Sequence, residues 1–114
     1  MQFQFNSDSS VMGTQDVAGR IEAHLRHRLA RFEKRLTRIE VHVSDENARK
    51  GGGMDKHCMI EARIAGDKPM GVTGKAGDVD GAARIAGNKL AERLERYFGK
   101  AERHRHAPSS DQLT

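Results

Sequence analysis

Apolar positions recur along the chain with two periods, and they predict six elements. In residues 2–6, QFQFN, Phe3 and Phe5 alternate with polar residues, which predicts a short strand. A polar stretch follows, with Thr14 or Asp16 placed to cap a helix. From residue 17 to 38, Val17, Ile21, Leu25, Leu29, Phe32 and Leu36 step by four, four, four, three and four. At about 100° per residue that is one stripe of an amphipathic helix. Alternation resumes over 39–44, with Ile39, Val41 and Val43 inward and Glu40 and His42 outward. A loop covers 45–55. Residues 56–64 then alternate again, with Cys58, Ile60, Ala62 and Ile64 on the core face and His57, Met59, Glu61 and Arg63 on the other. The turn AGDK leads to a weaker strand, PMGVTGK, with Pro69 at its start, where strands tolerate proline. Asp78 caps a second helix over 79–101, whose stripe is Val79, Ala82, Ala83, Ala86, Leu90, Leu94 and Tyr97. Beyond it the periodicity fades, and residues 102–114 are expected to be a disordered tail.

The order is β-α-β-β-β-α, an α+β class. A strand–helix–strand crossover makes the first two strands parallel, and both helices pack on one face of a four-stranded sheet. The length, 114 residues, suits one domain, here residues 1–101, with a modest core.

Charge changes this picture. The net charge is +4. Within 17–38, seven Lys or Arg face two acids, leaving +5. Arg20, His24, His27, Arg31, Lys34 and Arg38 step by four and three along one edge, with Arg28 and Arg35 beside them. Glu22 lies four residues before Arg26, a favourable helical pair. In the second helix Lys89, Arg93, Arg96 and Lys100 form a similar edge, away from Glu92 and Glu95. A solvated helix usually mixes its signs; cations segregated on one edge point to a polyanion. If the helices lie side by side, the two edges merge into one basic surface.

Sharper chemistry finds no support. The Gly51–Gly53 run belongs to no phosphate-loop pattern: Gly74-Lys75 and Gly99-Lys100 both lack the required upstream Gly and the following Ser or Thr. Lys50–Gly53 reads as a mobile hairpin loop, in which Arg49 and Lys50 could touch the same polyanion. Of six histidines, His24 and His27 share a helix face with no third ligand in register, so no metal or other cofactor is expected. Cys58 sits in core phase, as a small buried hydrophobe; a single cysteine excludes an internal disulfide and fits a reducing compartment. No acid pair, nucleophile or base is set for catalysis, so neither an enzyme nor a small-molecule substrate is expected. The start MQFQFNSDSS lacks the basic and apolar regions of a signal peptide, and no apolar run approaches a membrane span, so a cytoplasmic protein with no membrane partner is expected. Five aromatics without Trp argue against an aromatic platform for single-stranded bases.

Three segments carry a resemblance over residues 2–100: the opening MQFQFNS, the basic stretch RFEKRLTRIEVHVS, and VTGKAGDVDGAARIAGNKLAERLERYFGKAE. With the element order, they resemble the bacterial family of ribosome hibernation promoting factors and ribosome-associated translation inhibitors, in its short form. Asp78, Ala82, Lys89, Leu90 and Leu94 match the family's final-helix pattern, whereas Asp80 replaces a usual aromatic and Arg84 a usual acid. The resemblance implies a factor that binds the small ribosomal subunit and its rRNA, inhibits translation, protects idle ribosomes in slow growth, and is a monomer off the ribosome. The RNA-binding candidates are Arg28, Arg31, Lys34 and Arg35 in the first helix and Lys89, Arg93, Arg96 and Lys100 in the second. Lys89 is supported by the motif; Arg20, His24 and His27 are lesser candidates. The rival readings are a generic double-stranded RNA-binding or ribosome-assembly module, and a domain that dimerises through its open sheet face.

Overall fold

The computed structural model describes residues 1–7, 15–45 and 56–111, with side chains over 1–7, 16–45 and 56–100. Four strands, β1 (Gln2–Ser7), β2 (Leu36–Asp45), β3 (Lys56–Ile64) and β4 (Met70–Ala76), form one sheet in the order β1-β2-β3-β4. β1 runs parallel to β2, and the other two pairings are antiparallel. Helices α1 (Gln15–Arg28) and α2 (Val79–Asp111) complete the expected β-α-β-β-β-α arrangement. One apolar cluster joins Ile21 and Leu25 of α1, Leu29 just after it, and Ala82, Ala86, Leu90 and Leu94 of α2 to the sheet face carrying Ile39, Val41, Val43, Cys58, Ile60, Ala62 and Val72. The expected cap at Thr14 and the loop residues Arg49 to Gly53 lie outside the described residues, and Asp16 sits inside the first turn of α1 rather than capping it.

The first helix is shorter than its stripe implied. It ends at Arg28, and Ala30–Arg35 tighten into a 3-10 helix in which the Phe32 amide bonds to the Leu29 carbonyl at 2.9 Å. With three residues per turn, a 3-10 segment keeps Leu29 and Phe32 on one face as well as an α-helix would. β2 then begins at Leu36, three residues before its expected start. A register shift between Leu36 and Arg38 lets both Leu36 and Ile39 face the core, although strict alternation would put them on opposite faces. The apolar steps of three and four are thus shared by a helix, a 3-10 turn and a bulged strand.

α2 starts as expected. The Asp78 Oδ1 accepts a 2.6 Å bond from the Gly81 amide, satisfying one of the free donors of the first turn. Its backbone stays helical to Asp111, ten residues past the limit set by the apolar stripe. Ala101, Glu102, Arg103, Arg105 and Ala107 keep helix propensity after the stripe has ended. Two glycines let the layers approach. A Cβ on Gly74 would lie 2.5 Å from the Ala82 carbonyl oxygen and 2.7 Å from the Ala86 amide nitrogen, so β4 touches the α2 backbone itself. A Cβ on Gly87 would meet the Leu25 Cδ2 at 2.8 Å, where the helices touch each other.

Candidate nucleic-acid interface

The basic residues form two groups, one on each flank of α2. On the flank over β4, the Lys89 ammonium donates to the Thr73 carbonyl at 2.9 Å and the Arg93 guanidinium to the Gly71 carbonyl at 2.9 Å. β4 is an edge strand, so these carbonyls have no partner strand, and the two cations cover them. Arg96 and Lys100, the next members of the row, make no hydrogen bond or ion pair among the described residues. Two shallow cavities share Arg93 and Arg96. One, of about 460 Å³, reaches Met59, Thr73 and Lys89; the other, of about 400 Å³, reaches Met70, Tyr97 and Lys100. Together they make a groove with Met59, Met70 and Tyr97 for its apolar parts and cations along one wall, where Glu92 also lines it, contrary to the expectation that this acid lies away from the basic edge.

The other flank of α2 faces α1. The Arg28 Nε donates to the Asn88 Oδ1 at 3.0 Å, and Arg31 pairs with Glu95 at 3.2 Å. Arg20 pairs with Asp80 at 3.0 Å, which holds its guanidinium protonated even more firmly than usual. Below these contacts the 3-10 helix carries Lys34 and Arg35. Arg31, Lys34 and Arg35 line a cleft of about 1000 Å³ together with Met1, Gln2, Glu33 and Thr37. The Arg35 guanidinium lies over the Phe98 ring, 4.6 Å from its centroid.

The two basic edges therefore do not merge. Asn88 meets α1 and Glu95 the 3-10 helix while Lys89 and Arg93 turn to β4, and α2 stands between the groups. Arg38 leaves the first edge altogether. In β2 it faces the open side of the sheet, bonded to Gln4 and paired with Glu40 at 3.1 Å. Glu40, whose side chain is 15 % exposed, also lies 3.7 Å from Arg63 and 3.6 Å from His42. Ionic contacts thus cover the centre of the open face.

His24 is half-buried where the helices meet. Its Nε2 is buried without a hydrogen-bond partner. Burial lowers its pKa from the ordinary 6.5, and the charges of Arg84, Arg28 and His27 lower it further. Its Nε2 faces the contact with Gly87 of α2 rather than solvent. Burial pushes the Cys58 thiol up to about 12, which leaves no thiolate near neutral pH. Among the described residues no three His, Cys, Asp or Glu side chains are grouped to hold a metal ion, and no helix is long and apolar enough to cross a membrane. The sequence pattern missed the apolar floor of the β4 groove and the role of Phe98. Alternation places Met59 on the open face of the sheet and Met70 starts a weakly patterned strand, so nothing in the pattern joins either to the cations of α2, and Phe98 stands one residue beyond the Tyr97 that closes the stripe.

Residues 13–102 match the sequence profile of the family described as sigma 54 modulation protein / S30EA ribosomal protein. The chain belongs to this family. Two solved structures share the fold of this chain at low identity. A ribosomal subunit interface protein from Coxiella burnetii superposes with a TM-score of 0.71 at 15 % identity, covering 87 % of this chain and 99 % of that one. The N-terminal domain of Thermus thermophilus Protein Y gives 0.67 at 17 % identity, covering 85 % and 99 %. No curated protein matches the chain. The family membership agrees with the resemblance carried by the MQFQFNS, RFEKRLTRIEVHVS and final-helix segments.

Proposed function

We propose that this S30EA-family chain is a cytoplasmic, non-enzymatic factor. It binds the small ribosomal subunit through rRNA, suppresses translation and keeps idle ribosomes intact during slow growth. The observation that carries the reading is the pair of cation groups flanking α2, on a scaffold whose family and fold are those of ribosomal proteins. Lys34, Arg96 and Lys100 lack protein partners among the described residues, so their charge is available to phosphates. Arg28, Arg31, Lys89 and Arg93 are held by protein contacts that fix where their remaining donors point. A rigid array of this kind suits folded rRNA, which is recognised by shape and backbone rather than by base sequence. The ionic cover over Glu40 disfavours dimerisation through the sheet and supports a monomer off the ribosome.

The test is sucrose-gradient sedimentation of purified ribosomes with the protein at low and high salt. Co-migration with small subunits and whole ribosomes, released by salt, is the expected result. Protein left at the top of the gradient at both salts overturns the proposal. Equal affinity for free RNA duplexes would favour a general duplex-binding module.

A further inference from the structure

The cleft at the 3-10 helix is built differently from the β4 groove. Its two arginines lie on rings: the Arg31 guanidinium carbon is 4.8 Å from the Phe32 centroid and that of Arg35 is 4.6 Å from the Phe98 centroid. The two rings stack with centroids 5.6 Å apart and planes at 29°, and Tyr97 meets Phe98 edge-on at 5.2 Å. A guanidinium seated on a ring is planar and already restricted, and it offers a flat cationic surface to a second planar group. Arg31 also pairs with Glu95, and the exposed Arg35 lies next to Lys34 at the rim. Lys34 and Glu33 are both exposed, and neither has a hydrogen bond or ion pair among the described residues.

We infer that this cleft takes one unpaired nucleotide of RNA, with its base laid on the Arg35 guanidinium, its phosphate on Lys34, and an exocyclic amino group of the base donating to Glu33. The inference rests on the proposed ribosomal function and deepens it. A duplex buries both faces of each base in its stack, so only a looped-out or single-stranded base can use such a plane. Glu33 separates a nucleotide site from a plain phosphate site: a carboxylate repels phosphate but accepts from a base amino group. The cleft, about 1000 Å³, has room for a nucleotide. With Arg35 in this role, stacking falls to a guanidinium plane that a count of aromatic residues does not reveal.

The experiment measures dissociation constants of the full chain for purified small ribosomal subunits over a salt series, with thermal melting to verify that each variant folds. Arg35→Lys keeps the charge and removes the plane. It is expected to weaken binding about tenfold without changing the salt slope, as loss of a stacked base does. Glu33→Ala is expected to weaken binding too. In a phosphate-only site it would strengthen binding, because it removes a repelling charge. Wild-type binding with Arg35→Lys unaffected, or tighter binding by Glu33→Ala, overturns this inference and leaves the ribosomal reading standing. Failure of the wild-type chain to bind subunits overturns both.

Discussion

Replacing Arg96 and Lys100 by glutamine tests whether the β4 groove carries binding. Both residues lack protein partners among the described residues, so the double variant should fold with a stability change within about 0.5 kcal/mol. If each cation neutralises one RNA phosphate, removing both lowers the slope of log affinity against log salt by about 1.4 to 1.8. Between 50 and 200 mM salt the wild type then loses about seven- to twelvefold more affinity than the variant. The companion double variant, Lys89→Gln with Arg93→Gln, behaves differently. It uncovers the Thr73 and Gly71 carbonyls on the edge strand, at a cost of about 1 kcal/mol for two exposed hydrogen bonds, or about 5 °C in Tm. Its slope falls as well only if Lys89 and Arg93 also reach phosphate. The assay is subunit co-sedimentation or filter binding at four salt concentrations, with thermal melts on the same preparations. A folded Arg96→Gln, Lys100→Gln variant with the wild-type slope refutes the assignment of the groove to RNA.

Two further predictions concern the scaffold. Gly74→Ala forces a methyl against the α2 backbone at Ala82 and Ala86, atoms that cannot rotate away; it should cost about 2 kcal/mol and lower Tm by about 10 °C, and a shift under about 2 °C would mean that α2 moves freely on β4. His24 has a lowered pKa in the folded chain, so the unfolded chain binds its proton first; stability is complete above 6.5 and falls as the pH drops through and below that value, and urea titrations at pH 7.5 and 5.5 should show His24→Gln losing less stability on acidification than the wild type.

Elements that bury one clean face were legible in the sequence. β3 is the plainest case: Cys58, Ile60, Ala62 and Ile64 alternate with Met59, Glu61 and Arg63, and the observed strand has the predicted limits. The start of α2 followed from Asp78, whose side chain bonds to the amide three residues on. The end of α1 was not legible. No Gly, Pro or Asn interrupts 20–38, and Leu29, Phe32 and Leu36 satisfy a helix, a 3-10 turn and a bulged strand equally well. Only the demand that Leu36 pair opposite Ile64 decides among them. Arg38 was misplaced for the same reason, since its side follows from the element that contains it.

The sign of the surface charge was legible too, but its division was not. A helical row such as Lys89, Arg93, Arg96, Lys100 reads as uniform, yet its first half covers strand carbonyls and its second half does not. The edge of β4 sets that division, because its unpaired carbonyls reach only as far as the strand runs beside α2. The same logic holds across α2, where Asn88 and Glu95 hold Arg28 and Arg31 and the Phe98 ring seats Arg35, which leaves Lys34 at the rim without a partner among the described residues. Cations anchored by the protein keep the array rigid, and cations without partners give it affinity. A surface that must match one folded RNA shape needs both kinds, because a rigid charge loses less conformational freedom on binding and an unpaired one surrenders no internal contact.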